Sequence, residues 1–335
     1  MRPETALISM ATAYRTSQLV FVAAKLGIAD VIGDQGMTGD EIATALGASS
    51  DAVGRVMRGL AMLGVFRQVD DGRFANTDVS WPLRSESGSS VRAAILYWGQ
   101  EQYMTWGELA GTVMSGEPAF RKLFGDPFDY YDRHPDTAAA YDSFMTGVSV
   151  NIAESVATNY EFPDTGTVVD VAGGEGLLLA AILEKHPRLR GILFERPPTL
   201  EKARSLLESR GLLSRCELVS GDFRKSLPEG ADVYVMKNVL HDWHDIAAVA
   251  ILTACCRSMN ADSRLLVVQR LFPAAVRDEP YVRHMIEADI MQMLYNGGRE
   301  RTLEEYRALM ARAGLELTWS LTTLGETTLM EARRT

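Results

Sequence analysis

The stretch Thr167-Val-Val-Asp-Val-Ala-Gly-Gly-Glu-Gly176 decides the fold of this chain. β-Branched and apolar residues run into a carboxylate at Asp170, and a glycine-rich turn then leads into the apolar residues 177–183. The pattern predicts a buried strand that enters a helix through a turn that only small residues can make. Such a turn lets backbone N–H groups at a helix N-terminus approach a ligand. The stretch alone leaves two interpretations open, a site for a nucleotide-like cofactor and an ordinary tight connection.

The sequence beyond this stretch alternates between strand and helix patterns. Strands are predicted at residues 167–171, 191–194, 216–219, 232–236 and 264–268, with a late antiparallel pair at 315–320 and 327–332. Helices are predicted between them at residues 177–185, 199–210, 246–259 and 303–313. This alternation predicts the α/β class and a Rossmann-like, doubly wound, mostly parallel sheet that binds ligands at the carboxyl ends of its strands.

The composition limits the classes of protein that remain. A chain of 335 residues is long enough for two domains, and its net charge of −10 argues against a partner held by bulk positive charge, such as nucleic acid or an anionic membrane. Its three cysteines, Cys216, Cys255 and Cys256, do not form a disulfide framework, so we expect a cytoplasmic protein. We expect no signal peptide, because Arg2 and Glu4 precede a mixed helix and not a basic region with an apolar core. We expect no membrane span, because the most apolar early run covers only residues 19–24.

The N-terminal region predicts a second, smaller module. Residues 4–32 read as an apolar helix that must be buried in a core or against another subunit. A short helix follows Thr38, which has Glu41 at capping-box spacing, and a second helix runs from residue 49 to Gly64. Residues 65–74 read as a hairpin whose turn is Asp70-Asp71-Gly72. Helix, helix and hairpin form a winged-helix pattern.

A winged helix suggests either DNA binding or a dimerisation or lid module. Between residues 38 and 80 the chain carries four arginines against six acidic residues, a net charge of −2. A DNA reader needs a basic face, so we favour the second interpretation. We therefore predict a dimerisation domain at residues 1–90. Aromatic-rich helices at 91–162 are predicted to link it to the catalytic domain at 163–335, and some of their aromatic side chains could line a pocket for a ring-shaped substrate.

Acidic residues near three strand ends indicate which cofactor the sheet binds. Glu195 follows the second strand, about 20 residues after the glycine turn, where an acidic residue binds ribose hydroxyls. The dinucleotide fingerprint fits poorly, because Leu179 occupies its third glycine place and Asp170 would repel a pyrophosphate. A carboxylate there suits the ammonium and sulfonium groups of S-adenosylmethionine. Asp222 and Phe223, after the third strand, could bind adenine, although Asp222 could instead cap a turn.

His241 follows the fourth strand, at the edge of the expected crevice. Methyl transfer to a phenol, whose pKa is about 10, requires removal of its proton, and an imidazole suits that task. The alternative for a single histidine is a core or capping role. His244 lies three residues on, with Asp242 and Asp245 nearby, but no third ligand completes a metal site, so we expect none.

The ordered motifs resemble those of the class I S-adenosylmethionine-dependent O-methyltransferases of the plant caffeate and bacterial antibiotic-tailoring type. The motifs are Asp170-Val-Ala-Gly-Gly-Glu-Gly, Gly221-Asp-Phe, Lys237 with His241-Asp-Trp, and Asn296-Gly-Gly-Arg-Glu-Arg-Thr302. The resemblance covers nearly the whole chain. It implies a homodimer through intertwined N-terminal domains, a winged helix that does not bind DNA, and SN2 methyl transfer with His241 as base.

The resemblance also implies roles for individual residues. Glu195 would hold the ribose, Asp222 and Phe223 the adenine, and Lys237 the methionine end of the cofactor. The turn formed by Ala172, Gly173 and Gly174 would pass close to the cofactor, with Asp170, Trp243 and Ser149 assigned to the same site. Asp242 is assigned to the catalytic group beside His241. The substrate candidates lie on two predicted helices and include methionines, whose flexible side chains adapt to a pocket. They are Met145, Ser149, Met285, Asp289, Met293 and Asn296.

Two departures from the family pattern bear on the reaction. Ala172 stands where the family often has glycine, and we expect little harm from so small a residue. Gln269 stands where plant relatives commonly have a glutamate beside the catalytic histidine, which leaves Glu300 as the matching carboxylate. We therefore expect methylation of a phenolic hydroxyl of an aromatic natural product. Gln269 keeps open a non-methylating reaction, namely hydroxylation, decarboxylation or pericyclic chemistry, and the winged helix keeps open a ligand-sensing DNA-binding regulator.

Overall fold

The computed structural model describes residues 2–69, 72–87, 90–323 and 326–335. The chain divides into two compact units, one of residues 1–104 and 134–144 and the other of residues 105–133 and 145–335. Within the described residues, no helix is both long and apolar enough to cross a membrane.

The first unit is mostly helical. Its helices are α1 Pro3–Ala11, α2 Tyr14–Lys25, α3 Ile28–Ile32, α4 Gly39–Leu46, α5 Ser50–Met62 and α6 Arg92–Tyr97, with a 3-10 turn at Trp81–Leu83 and a π-helical turn at Trp98–Gln102. The expected single helix over residues 4–32 is wrong. It is broken into α1, α2 and α3, and Gly27 adopts a left-handed φ of 64° between α2 and α3.

The winged-helix pattern is present in this unit. Thr38 and Glu41 form the predicted capping box, in which the Glu41 N–H donates to Thr38 Oγ1 at 3.2 Å and the Thr38 N–H donates to Glu41 Oε2 at 2.7 Å. Strands β1 Phe66–Gln68 and β2 Phe74–Asn76 pair antiparallel as the expected hairpin. The acidic turn residues Asp70 and Asp71 lie outside the described residues.

The second unit is built on a seven-stranded sheet. Its strands are β3 Gly166–Val171, β4 Leu189–Glu195, β5 Cys216–Ser220, β6 Val233–Lys237, β7 Arg264–Arg270, β8 Leu315–Thr322 and β9 Thr327–Arg334. They lie in the order β5-β4-β3-β6-β7-β9-β8. The first five are parallel, and β9 pairs antiparallel with both β7 and β8. The predicted Rossmann-like sheet with a late antiparallel pair is confirmed.

Helices cover both faces of this sheet. From residue 103 onward the helices of the chain are α7 Tyr103–Gly107, α8 Leu109–Ser115, α9 Ala119–Phe124, α10 Pro127–Arg133, α11 Pro135–Asn159, α12 Leu177–Lys185, α13 Pro197–Ser209, α14 Asp245–Ser258, α15 Pro280–Tyr295 and α16 Leu303–Arg312. Val168 packs into a core with residues of α12 and α13, and Val169 packs into a second core with residues of α14 and α16. Successive residues of β3 thus face opposite layers, as in a sheet buried on both sides.

The strand order reverses at β3, which lies between β4 and β6. Ligands of open α/β sheets bind at such a switch point, outside the carboxyl ends of the strands. Asp170, Glu195 and Lys237 stand at the carboxyl ends of β3, β4 and β6, respectively, and His241 follows β6 directly. The fold therefore brings the predicted site residues of successive strands to one edge of the sheet.

Candidate active site

The glycine turn after β3 is too tight for larger residues. Gly174 and Gly176 have φ values of 58° and 81°, and Ala172 adopts a left-handed φ of 54° although it carries a side chain. A Cβ on Gly173 would lie 2.5 Å from Asp170 Cγ and 2.5 Å from Leu193 Cδ1. Contacts that short do not occur, so residue 173 must be glycine for the turn to close over Asp170.

Asp170 is a buried carboxylate at the carboxyl end of β3. Its exposed fraction is 1%, and neither of its oxygens has a partner among the described residues. Burial raises the Asp170 pKa to about 7, with Lys237 opposing the rise and Glu195 adding to it. An unpaired buried carboxylate is costly, so these oxygens mark the place of a hydrogen-bond donor or a cation from a ligand.

The other predicted cofactor residues surround this turn. Glu195 Oε2 accepts the Gly174 N–H at 3.1 Å, and burial raises the Glu195 pKa. Lys237 Nζ lies 3.0 Å from Ser149 Oγ, which brings these two predicted residues together. Burial lowers the Lys237 pKa, against the opposing effect of Asp170.

The predicted adenine residues lie at the carboxyl end of β5. Asp222 accepts two bonds from the Arg224 guanidinium, at 2.8 and 2.9 Å, and these bonds help to lower its pKa. The Phe223 and Trp243 rings meet edge to face, with centroids 6.1 Å apart. Arg224 Cζ lies 5.4 Å above the Trp243 ring. Two aromatic rings, an acceptor and a guanidinium are therefore available to a planar base.

His241 lies in a 3-10 turn, Leu240–Asp242, between β6 and α14. Its Nδ1 is 2.7 Å from Glu300 Oε1, and Gln292 Nε2 is 3.3 Å from the same nitrogen. Its Nε2 is 3.7 Å from Asp242 Oδ1. The His241 and Glu300 side chains are 16% and 4% exposed. Within the described residues, Gln269 makes no hydrogen bond to His241, and its buried Oε1 has no partner.

The surroundings of His241 favour its protonated form. Burial alone lowers its pKa, but the carboxylates of Glu300 and Asp242 outweigh that effect and raise the His241 pKa to about 9. Burial also raises the pKa of Asp242 to about 6, which the neighbouring His241 opposes. A buried imidazole with one nitrogen fixed by a carboxylate can accept a proton on the other nitrogen.

The loop that carries Glu300 is fixed to the turn that carries His241. The Arg299 N–H donates to His241 O at 2.9 Å, and the Glu300 N–H donates to Asp289 Oδ1 at 2.8 Å. A Cβ on Gly298 would lie 2.0 Å from His241 O, so only glycine allows this approach. Asp289, predicted to contact substrate, is here a support for Glu300.

The remaining substrate candidates show no contact that assigns them a role. Met285 is buried, Met145 and Met293 are partly buried, and the buried Asn296 Oδ1 has no partner among the described residues. Their contact with substrate stays a prediction.

His244 acts as a helix cap. Its Nδ1 accepts the Ala247 N–H at 3.4 Å, at the start of α14. In the described part of the chain, no group of three or more histidine, cysteine or acidic side chains is placed to hold a metal ion.

The sequence patterns did not single out Gln292, Gly298 or Arg301. Gly298 and Arg301 lie within the Asn296–Thr302 motif, from which only Asn296 and Glu300 were assigned roles. The glycine pair itself was a usable signal, because adjacent glycines allow the close backbone approach seen at Gly298. Gln292 gave no signal, because a single glutamine in an apolar helix has no characteristic spacing.

Comparison with known proteins agrees with this geometry. A family model described as an O-methyltransferase domain matches residues 106–316, and one described as an O-methyltransferase dimerisation domain matches residues 8–85. Among curated proteins, the chain is 36% identical over 328 residues to a phenazine O-methyltransferase of Lysobacter antibioticus, covering 98% of this chain and 95% of that protein.

Solved structures show the same fold. The mitomycin 7-O-methyltransferase is 34% identical with a TM-score of 0.93, covering 99% of this chain and 98% of that one. An O-methyltransferase from neocarzinostatin biosynthesis, solved with S-adenosylmethionine and 2-hydroxy-5-methyl naphthoic acid, is 30% identical with a TM-score of 0.87, covering 96% of each chain.

Proposed function

This chain belongs to the family of S-adenosylmethionine-dependent O-methyltransferases, and we propose that it methylates a phenolic hydroxyl of an aromatic natural product. The observation that carries the proposal is the pairing of His241 Nδ1 with Glu300 Oε1 at 2.7 Å, which leaves Nε2 as the proton acceptor. The relatives reported above are O-methyltransferases, and none of them supports the non-methylating alternative.

The residues around the glycine turn fit the cofactor. Asp170 offers two unpartnered buried oxygens to a cationic group, and Gly173 leaves room that a side chain would fill. We assign Glu195 to the ribose hydroxyls and Asp222 with Phe223 to the adenine, on their positions at successive strand ends. When bound, S-adenosylmethionine supplies an electrophilic methyl group on a positively charged sulfur.

His241 serves as the general base in this proposal. Neutral His241 accepts the phenolic proton at Nε2 while Nδ1–H donates to Glu300 Oε1, so the imidazolium forms against a carboxylate already in place. The phenolic oxygen then forms its bond to the methyl carbon as the bond from carbon to sulfur breaks. The positive charge that begins on sulfur ends on the imidazolium of His241, and the total charge of the site is unchanged.

The test is methyl transfer by wild type and by His241→Ala, with a matched His244→Asn control. The acceptors are a panel of hydroxylated naphthoic acids, phenazines and benzoates, each with an amine analogue, and both S-adenosylhomocysteine and product mass are followed. We expect a phenol to gain one methyl group, His241→Ala to lose about 100-fold or more in kcat, and His244→Asn to keep its rate. Equal rates for His241→Ala and wild type would overturn the assignment of the base. A product without the added methyl would overturn the reaction.

We also infer that the protein is a homodimer and resides in the cytoplasm. The dimerisation-domain match supports the first point, and so do the exposed apolar residues of α1, because Leu7, Ile8 and Met10 are 68%, 65% and 73% exposed in the single chain. The three cysteines form no disulfide among the described residues, which supports a location in the cytoplasm. The absence of DNA binding stays a prediction from the net negative charge of the winged helix, and a gel shift at low ionic strength tests it.

A further inference from the structure

Arg301 is the largest fully buried side chain among the described residues, with 1% of its surface exposed. It follows Glu300 directly and precedes Thr302, which caps α16. An arginine is almost never fully buried unless it is paired, because removing a charge from water is costly. Its position beside the catalytic pair therefore calls for an explanation.

Every N–H of the Arg301 guanidinium has an acceptor. Nη1 donates to Leu240 O at 2.9 Å and to Arg299 O at 3.3 Å. Nη2 donates to Trp243 O at 2.7 Å and to Asp245 Oδ1 at 2.9 Å, and Nε donates to Asp245 Oδ1 at 3.1 Å. A guanidinium has five N–H donors in a fixed plane, and here all five are used.

The acceptors lie in the two chain segments that carry His241 and Glu300. Leu240 and Trp243 enclose His241 and Asp242 in the chain, so the guanidinium holds the turn that carries the base at both of its ends. The third carbonyl, from Arg299, precedes Glu300. One rigid planar group thus joins the segment that carries the base to the segment that carries its carboxylate.

We propose that Arg301 is a positioning residue that sets the distance between His241 and Glu300. The proposal rests on the proposed role of His241 as general base. Removing Arg301 alone leaves three carbonyls and Asp245 without their donor, so any replacement should cost stability. The values of kcat and of the His241 pKa therefore distinguish a positioning role from a purely structural one. Five directed bonds to three carbonyls and a carboxylate specify geometry, which a lysine with one compact ammonium group cannot reproduce.

The experiment compares Arg301→Lys and Arg301→Met with a matched control, Arg215→Lys. Arg215 also binds main-chain carbonyls, those of Leu183 and Leu189 at 2.8 and 3.0 Å, but it lies just before β5, at the amino ends of the strands. Three quantities are measured below the unfolding temperature of each variant. They are kcat and KM with the phenol that wild type methylates fastest, the affinity for S-adenosylhomocysteine, and the His241 pKa by NMR titration of the ring. The His241→Ala spectrum assigns that signal among the five histidines.

We expect both Arg301 variants to lose about 10- to 100-fold in kcat, because a misplacement of about 1 Å can have that effect. KM and the affinity for S-adenosylhomocysteine should change less than about 3-fold, and the His241 pKa should fall from about 9 as the contact with Glu300 loosens. Arg215→Lys should change neither kcat nor this pKa. Loss of thermal stability with unchanged kcat and unchanged His241 pKa would show a structural role only and overturn the proposal.

If Arg301→Met does not fold, Arg301→Lys and Asp245→Asn decide the question with the same readouts. Asp245→Asn keeps the three carbonyl bonds and should give a smaller effect in the same direction. The two proposals fail separately. Full activity of His241→Ala would refute the assignment of His241 as the base. An inactive His241→Ala together with fully active Arg301 variants would refute only the positioning role of Arg301.

Discussion

Replacing Glu300 with glutamine would remove the negative charge that lies 2.7 Å from His241 Nδ1 while keeping a side chain of the same size. The His241 pKa is raised from 6.5 to about 9 in this site, which favours the imidazolium by on the order of 3 kcal/mol. Glu300 and Asp242 share this effect, and Glu300 is both closer and less exposed. Glutamine should therefore lower the His241 pKa by about one unit or more.

The sign of the effect on rate follows from the role of the base. Only neutral His241 can accept a proton, so wild-type kcat/KM should rise with pH and level off above an inflection near 9. Glu300→Gln should reach its plateau at lower pH, but at a rate about 10- to 100-fold below wild type, because the imidazolium then forms without a carboxylate. The ratio of variant to wild-type rate should consequently be larger at pH 7 than at pH 10.

The assay follows S-adenosylhomocysteine formation from pH 6 to 10.5 at saturating cofactor, with a phenol that stays protonated over most of that range. His244→Asn is the control, because this exposed helix cap lies three residues from the base. An inflection that stays in place or moves to higher pH in Glu300→Gln would refute the assignment of Glu300 as the partner that holds the His241 pKa high.

Three further predictions concern the backbone and the subunit interface. Gly298→Ala should lower kcat about 100-fold with little change in S-adenosylhomocysteine affinity, because its Cβ would strike the main chain of the turn that carries the base; equal kcat values would contradict the close approach. Gly173→Ala should abolish cofactor binding measured by calorimetry, because its Cβ would strike Asp170 and Leu193. Ala172→Gly should bind the cofactor normally, and its free energy of unfolding should lie within about 1 kcal/mol of wild type, since glycine accepts the φ of 54° without strain. Ile8→Asp should shift the mass by light scattering from dimer to monomer, and a dimer that persists would place the interface away from this exposed residue.

The fold was largely predictable from local patterns. The predicted strand bounds agree with the structure to within one or two residues. The signals were β-branched segments that end in small or acidic residues, separated by segments of helical periodicity, and each signal lies within a short window of sequence. The strand order was not predictable from them, because pairing depends on contacts between distant segments. The break at Gly27 was missed because a single glycine in an apolar run is also compatible with a continuous helix.

The site was predictable only where one residue type and its position carried the chemistry. Asp170 and Glu195 lie at the carboxyl ends of strands and His241 follows one, so the topology alone brings them to the same edge. Gln292 reaches His241 from a helix 51 residues further along the chain, and no sequence spacing indicates such a contact. The assignment of Gln269 as a neighbour of the base stays a prediction, since the side chains within hydrogen-bond distance of His241 Nδ1 in the described residues are Glu300 and Gln292.

We expect the buried carboxyl of Asp170 to couple cofactor binding to the release of a proton. Burial raises the pKa of this carboxyl to about 7, so part of the population carries a proton in neutral buffer before a ligand arrives. A cationic ligand stabilises the carboxylate, so binding should release a fraction of a proton to the buffer near pH 7 and less at pH 8.5. The calorimetric enthalpy of binding should therefore differ between phosphate and Tris, in proportion to their ionisation enthalpies. In Asp170→Asn the two buffers should give the same enthalpy.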